Sequence, residues 1–340
     1  MHQMRAVALS GYVEVANFVG LDGRRMLAEA GVSWQALDDP ENRLPASTMV
    51  RLLEDSAERS GCESFGLLMA TTRTFASLGP VSLLLERLPN TREVVRAGIE
   101  FQRHLNDIVT ISLEDDGDPC LIKLDVLPGY WAVQSLDLML GIVYGILIGA
   151  SGNRWRPSTV HLVRSAPTDM SGWRHFFAAP IEFESSFTGF SCSREAMLAP
   201  NPGADRAMAD NARRLLRLMR QEALPAPISE RVRRSITLLL PSGRANVDVV
   251  ASHLGVSRRT LQRGLHAEGH RFGDLLDEVR QELAKAYLAN SAHPITSVAA
   301  MLGYGSPSSF TRWFAGEFGT SPQTWRSAAA AGRGRDRSLS

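Results

Sequence analysis

The chain has 340 residues, of which 44% are apolar and 21% charged, with a formal net charge of +1. That length allows two domains, each with its own core, and the composition is that of an ordinary globular protein. Cys62, Cys120 and Cys192 are odd in number and far apart, which excludes a disulfide framework or a zinc ligand set and leaves reduced, buried thiols. In chain order, residues 45–61 predict a helix, with Pro45 near its first turn and Gly61 just past its end. Gly79-Pro80 starts a helix through residue 88, Pro89-Asn90 breaks it, and Thr91 caps another that runs to about His104. Residues 108–114 and 120–126 are strand-like runs joined by Asp115-Asp-Gly-Asp-Pro119, a hairpin signal. An apolar helix over 133–150 follows; its longest apolar stretch is interrupted by Asp137 and reads as buried, too short to span a bilayer. Strand candidates at 159–164, 181–184 and 187–193 complete an α+β domain of about 200 residues.

Residues 204–223 form a helix leading out of that domain. Pro225-Ala-Pro227 cannot continue it, since each proline lacks the N–H and disfavours a helical residue before it. The sequence therefore divides into an amino-terminal domain at 1–203, a connecting helix and linker at 204–227, an all-α domain at 228–327, and a small, basic, glycine-rich tail at 328–340 that reads as disordered. In the all-α part, Ser229 caps a helix ended by Pro241-Ser-Gly243. A longer helix over 271–290 carries Phe272, Leu275, Leu276, Val279, Leu283 and Tyr287 at helical spacing. From residue 225 to the end there are 15 Lys+Arg against 9 Asp+Glu, so the two parts of the chain are oppositely charged. The basic part suits contact with phosphates. No apolar leader opens the chain, and the expected location is the cytoplasm.

One short pattern occurs twice in the basic part. The first copy is Val250-Ala-Ser-His-Leu-Gly-Val-Ser257, then Arg258-Arg-Thr-Leu-Gln-Arg-Gly-Leu265; the second is Val298-Ala-Ala-Met-Leu-Gly-Tyr-Gly-Ser306, then Pro307-Ser-Ser-Phe-Thr-Arg-Trp-Phe314. Each reads as a short amphipathic helix, a glycine turn, a serine N-cap and a second helix. That is the layout of a helix-turn-helix, whose second helix enters the DNA major groove. Two copies, with the helix at 271–290 between them, let one chain read two groove segments. In the first, Leu261 and Leu265 must face the core, which puts Arg259, Gln262 and Arg263 outward, with Arg258 at the first turn. Arginine can bind guanine and glutamine adenine bidentately. In the second, Phe310 and Phe314 go inward and Ser308, Thr311 and Arg312 point out. Hydroxyls bond phosphates or either base type, so this copy discriminates sequence less. Trp313 reads as core or edge packing.

Gly303-Tyr-Gly-Ser-Pro-Ser-Ser-Phe-Thr-Arg-Trp-Phe314, followed by Phe318-Gly-Thr-Ser-Pro-Gln-Thr-Trp-Arg326, resembles the signature of the AraC/XylS family of bacterial transcription regulators over roughly residues 229–326. The resemblance implies base-facing roles for Arg259, Gln262 and Arg263, and for Ser308, Thr311 and Arg312. One departure is Ala315, where that family usually has a basic residue. The first domain resembles more loosely the so-called arabinose-binding effector domain of ornithine-utilisation-type and virulence-type regulators. The stretches that carry this are Glu63-Ser-Phe-Gly-Leu-Leu-Met69, Gly79-Pro-Val81, Pro180-Ile-Glu-Phe-Glu-Ser-Ser-Phe-Thr-Gly-Phe190 and Leu198-Ala-Pro200. This implies a sensing or dimerising domain.

The expected function is that of a ligand-responsive activator, not an enzyme and without cofactor or bound metal, since no phosphate loop, metal-spaced His/Cys set or nucleophile elbow occurs. Its expected partners are promoter DNA, RNA polymerase, a second copy as a homodimer, and a small effector that is largely apolar with a polar or acidic end; no membrane is expected. His104, Trp131 and Gly145 are the candidate effector contacts. Gly141, Gly145 and Gly149 punctuate the apolar helix, and each costs about 1 kcal/mol against alanine. They call either for close packing or for a wall left open to a ligand. Two rivals remain. A constitutive DNA-binding protein with a purely dimerising first domain predicts a filled core there, and an enzyme domain fused to a DNA-binding module predicts paired titratable groups in a pocket.

Overall fold

The computed structural model describes residues 2–106, 108–127, 130–222, 227–240, 243–290 and 294–328. The proline break at 225–226, the helix stop at 241–242 and the basic tail from 329 lie outside them. The chain separates into two compact units. One comprises Met1–Val126, Tyr130–Leu162 and Ala166–Leu224; the other comprises Pro225–Ser340 with the short segments Leu127–Gly129 and Val163–Ser165.

The first unit mixes helices with two sheets. Strands β1 (Gln3–Arg5) and β2 (Arg43–Pro45) pair antiparallel. A five-stranded sheet contains β3 (Val109–Glu114), β4 (Cys120–Val126), β5 (Thr159–His161), β6 (Ile181–Glu182) and β7 (Thr188–Cys192), in the order β3-β4-β7-β5-β6. The hairpin β3–β4 has Val109 opposite Val126, and every pairing is antiparallel except β5–β6. Strand β4 alternates as the period of a half-buried strand demands: Cys120, Ile122, Leu124 and Val126 are buried and the residues between them are not. Cys120 stands opposite Cys192 in register, and both are buried free thiols. Burial pushes the Cys192 thiol up to about 12.

The apolar helix spans Val133–Ala150. By length and composition it could cross a membrane, yet 56% of it is buried inside the protein. It crosses the helix Phe65–Thr71 at close range because glycines remove the side chains between the backbones. The Gly66 amide donates to Gln134 Oε1 at 2.8 Å, and a Cβ at Gly66 would stand 2.0 Å from the Gln134 carbonyl oxygen. A Cβ added at Gly141 would meet the Ala70 Cβ at 2.5 Å, and one at Gly149 the Phe75 ring at 2.8 Å. Close packing therefore explains two of the three glycines expected from the sequence. Gly145 is exposed, with nothing within 4 Å of where a Cβ would be.

Other boundaries move for local reasons. Asn90, not Thr91, caps the helix Thr91–Glu100, its side chain accepting from the Glu93 amide at 3.0 Å. That helix stops at Phe101 and a separate turn, Gln102–Leu105, carries His104. The pair β1–β2 and the helices Tyr12–Phe18, Gly23–Glu29 and Phe65–Thr71 are additions to the sequence reading.

The second unit is helical among its described residues: Ile228–Leu239, Val247–His253, Arg258–Ala267, Phe272–Asn290, Ile295–Met301 and Pro307–Phe318. Its core holds Val232, Ile236, Val250, Leu261, Leu265, Leu275, Val279, Leu283, Val298, Phe310 and Phe314, all at most 1% exposed. Aromatic rings close the last part of it. Phe314 and Phe318 lie 4.4 Å apart between centroids, and Trp313 sits 5.5 Å from Tyr304.

Replacing Gly66 by alanine drives a methyl into backbone that cannot retreat. The expected loss is about 3 kcal/mol, at the upper end for overpacking, read as a lower urea midpoint with an unchanged slope.

Candidate functional site

In the second unit two helix pairs turn in the same way. After Val247–His253, the Gly255 amide bonds the Ser252 carbonyl at 3.0 Å and the Val256 amide bonds the Ala251 carbonyl at 3.0 Å. After Ile295–Met301, the Gly303 and Tyr304 amides make the matching bonds to Ala300 and Ala299, both at 2.9 Å. Both glycines adopt left-handed backbone, φ 68° at Gly255 and 75° at Gly303, which a side chain would strain. Each following helix opens on a serine cap. Ser257 accepts from the Thr260 amide at 3.2 Å, and Ser306 from the Ser309 amide at 3.2 Å with Pro307 at the first helical position.

These caps and turns fix which side chains face out. In Arg258–Ala267, Leu261 and Leu265 are buried, while Arg258, Arg259, Gln262 and Arg263 are exposed. Arg258 is held by Asp248 of the preceding helix, with Nη1 3.2 Å from Oδ2. Arg259, Gln262 and Arg263 have no polar side-chain partner among the described residues. In Pro307–Phe318, Phe310 and Phe314 point inward, Ser308 and Arg312 are exposed, and Thr311 is half-buried. Ala315 is exposed on that helix and brings no charge. Each pair therefore offers one helix face of donors and cations that nothing among the described residues of the unit neutralises, Arg258 excepted.

A contact missed by the sequence reading anchors the first pair. The helix Ile228–Leu239 has Pro227, not Ser229, at its N-cap, and proline offers no capping oxygen. Glu268, directly after Arg258–Ala267, fills that role: its carboxylate accepts from the Ile228 amide at 2.7 Å and the Ser229 amide at 2.9 Å. Burial opposes ionisation of Glu268, but the hydrogen bonds from Ser229 and Ile228 outweigh it and hold the carboxyl below its usual range.

The first unit contains a cavity of about 170 Å³. One face of Val133–Ala150 walls it through Ser135, Leu138, Met139, Ile142, Val143 and Ile146, opposite apolar residues of β3 and β4. Its lining is otherwise apolar apart from Arg5, Arg73, Ser77 and Asn106. The apolar helix walls this cavity, but none of the three residues singled out from the sequence lines it. His104 lies edge-on to the Phe101 ring at 5.8 Å, Trp131 is buried in the core, and Gly145 is on the exposed face of the helix. The arginines escaped notice because Arg5 belongs to an unrecognised strand and Arg73 follows an unrecognised helix. Among the described residues no Asp, Glu, His or Cys lines the cavity, and no group of three or more of them could hold a metal.

The same two parts of the chain match known families. Residues 20–201 match the family described as "Arabinose-binding domain of AraC transcription regulator, N-term", and residues 250–328 match a "Helix-turn-helix domain". The chain is 25% identical over 329 residues to the HTH-type transcriptional regulator VirS of Mycobacterium tuberculosis, covering 95% of this chain and 96% of that one. It is 25% identical over 321 residues to the Ornithine utilization regulator of Pseudomonas aeruginosa, covering 89% of this chain and 93% of that one. Over 82 residues it is 37% identical to the Regulatory protein SoxS of Escherichia coli, covering 24% of this chain and 77% of SoxS.

The Glu268 cap has a pH signature. Its depressed folded-state pKa means that the stabilisation is present above the unfolded glutamate value, about 4.3, and is lost as pH falls through the folded value. Glu268→Gln should cost about 1 kcal/mol or less at pH 7, since the cap is exposed. The difference in thermal midpoint from the parent should shrink toward pH 3.

Proposed function

The chain belongs to the family of AraC transcription regulators, and from that premise we propose that it is a cytoplasmic, ligand-responsive activator with two DNA-reading heads. Residues 228–327 form the DNA-binding domain, with two helix-turn-helix motifs joined by the linker helix Phe272–Asn290. Residues 1–203 sense an effector and pair subunits, 204–227 connect the two domains, and 328–340 form the tail. The observation that carries this reading is the duplicated turn. Gly255 and Gly303 make the same hydrogen bonds, and each is followed by a serine-capped helix with two inward apolar residues and an outward polar face. Arg259, Gln262 and Arg263 read base edges from the first head. Arg258, tied to Asp248, contacts phosphate. Ser308, Thr311 and Arg312 serve the second head, which discriminates less because hydroxyls bond every base type or the backbone. The full-length likeness to VirS and the Ornithine utilization regulator supports regulation by such a chain. RNA polymerase is the partner through which an activator acts.

The cavity favours ligand response over constitutive binding. At about 170 Å³ it is several times the volume share of a water molecule, roughly 30 Å³. A purely dimerising domain has no need of it. The lining also speaks against an enzyme, since its ionisable groups among the described residues are two arginines and general acid–base chemistry needs a group that titrates near neutrality. The effector is therefore largely apolar with a polar or acidic end.

Replacing Arg259 or Gln262 by alanine should cost about 1–3 kcal/mol on the correct operator and relax preference at one base pair. Arg312→Ala should cost less. Equal losses on specific and scrambled duplexes, measured by fluorescence anisotropy, would mark these residues as phosphate contacts instead. A second test concerns spacing. Two residues inserted near Ala286 should rotate one head by about 200° against the other. Specific binding should collapse while non-specific binding survives; retained specificity would mean that one head acts alone.

A further inference from the structure

Burying an arginine is costly unless its guanidinium is hydrogen-bonded and paired with an anion. Arg5 is 3% exposed and lines the cavity. Its side-chain partner among the described residues is Glu41, reached through Nη2, while the buried Nε has no hydrogen-bond partner. Arg73 lines the same cavity. Its Nη atoms donate to the carbonyls of Ser10 and Ala8, which bring no counter-charge, and its Nε is likewise buried and unpartnered. Burial lowers the Arg73 guanidinium to about 10, which leaves it cationic at neutral pH.

The polar lining is gathered at one end. Asn106 is bridged to Met4, next to Arg5. The Asn106 Oδ1 accepts from the Ile108 and Val109 amides, so its remaining polar atom is the donor Nδ2. Arg73 is tied to residues 8 and 10, and Ser77 lies two residues before Gly79, whose missing Cβ makes room for the Arg5 guanidinium. Among the described lining residues every ionisable group is a cation, and the rest of the lining is apolar apart from Ser135. A volume of about 170 Å³ compares with the ~150 Å³ apolar cavity that holds one benzene ring.

We propose that this cavity binds a compact apolar monocarboxylate, with its carboxylate at the end formed by Arg5, Arg73, Ser77 and Asn106 and its body against the Val133–Ala150 helix. The proposal rests on the reading of the first unit as a sensing domain and names the chemical class it senses. Size and charge together select the ligand: an aryl ring or short acyl chain fills the apolar part, and an anion answers Arg73, whose partners are neutral carbonyls, beside Arg5, whose partner Glu41 is largely exposed.

The test uses the full chain and three near-isosteric probes, phenylacetate, phenylacetamide and phenethylamine, titrated by isothermal calorimetry. Phenylacetate should bind at least tenfold more tightly than the neutral amide, and the amine should not bind. Asn106→Asp keeps the oxygen that caps Ile108 and Val109 but adds a negative charge that answers the arginines in the ligand's place; it should weaken phenylacetate at least tenfold without lowering the thermal midpoint. Arg5→Gln should weaken it as well, and if that variant does not fold, Asn106→Asp decides. Equal affinity for acid and amide, an Asn106→Asp variant that binds phenylacetate as the parent does, or no binding of any probe at millimolar concentration would each overturn the proposal. Phenylacetate that binds as expected yet leaves affinity for operator DNA unchanged upholds the carboxylate site and counts instead against ligand-responsive regulation.

Discussion

Two residues held in left-handed backbone set the geometry of the basic last third of the chain. At Gly255 and Gly303 the helix ends in the same pair of hydrogen bonds, the chain reverses, and a serine starts the next helix within a few residues. The turn is set by φ, the start by the cap, and the roll of each second helix by two buried apolar residues four apart. The outward face is a consequence of these constraints. Arg259 and Gln262 are exposed because Leu261 and Leu265 are buried, and Arg312 because Phe310 and Phe314 are.

The amino-terminal unit rests on a different device, the close crossing of two helices. Gly66 and Gly141 let Phe65–Thr71 and Val133–Ala150 meet almost backbone to backbone, with the Gln134 side chain satisfying the Gly66 amide at the crossing. The side of the apolar helix that carries Leu138, Ile142 and Ile146 is then left to wall a cavity. One helix thus both holds the core together and bounds the cavity. A ligand there alters DNA affinity only as far as it binds the DNA-competent state differently from the alternative.

Much of this was legible in the residues. The repeat at Gly255 and Gly303, the serine caps, the hairpin β3–β4 and the apolar helix each follow from a local rule: turn chemistry, capping, alternation or helical period. What escaped depends on distant partners. Glu268 caps a helix 40 positions away, and no local pattern announces such a bond. Nothing local in the sequence marks Arg5 or Arg73, which strand pairing and helix packing bury. His104, Trp131 and Gly145 were reasonable on composition alone, but whether a side chain faces a cavity depends on the roll of its element. Gly145 lies on the right helix but on its exposed side.

The central claim is that one chain presents two reading heads. Hydroxyl-radical footprinting of the full chain on its operator, at a stoichiometry of one chain per site, tests it most directly. The account predicts two protected groove segments on one face of the duplex, centred roughly 10 base pairs apart, with the stronger base preference in the segment met by Arg258–Ala267. A single protected segment, unchanged when Arg312 is replaced by alanine, would contradict it.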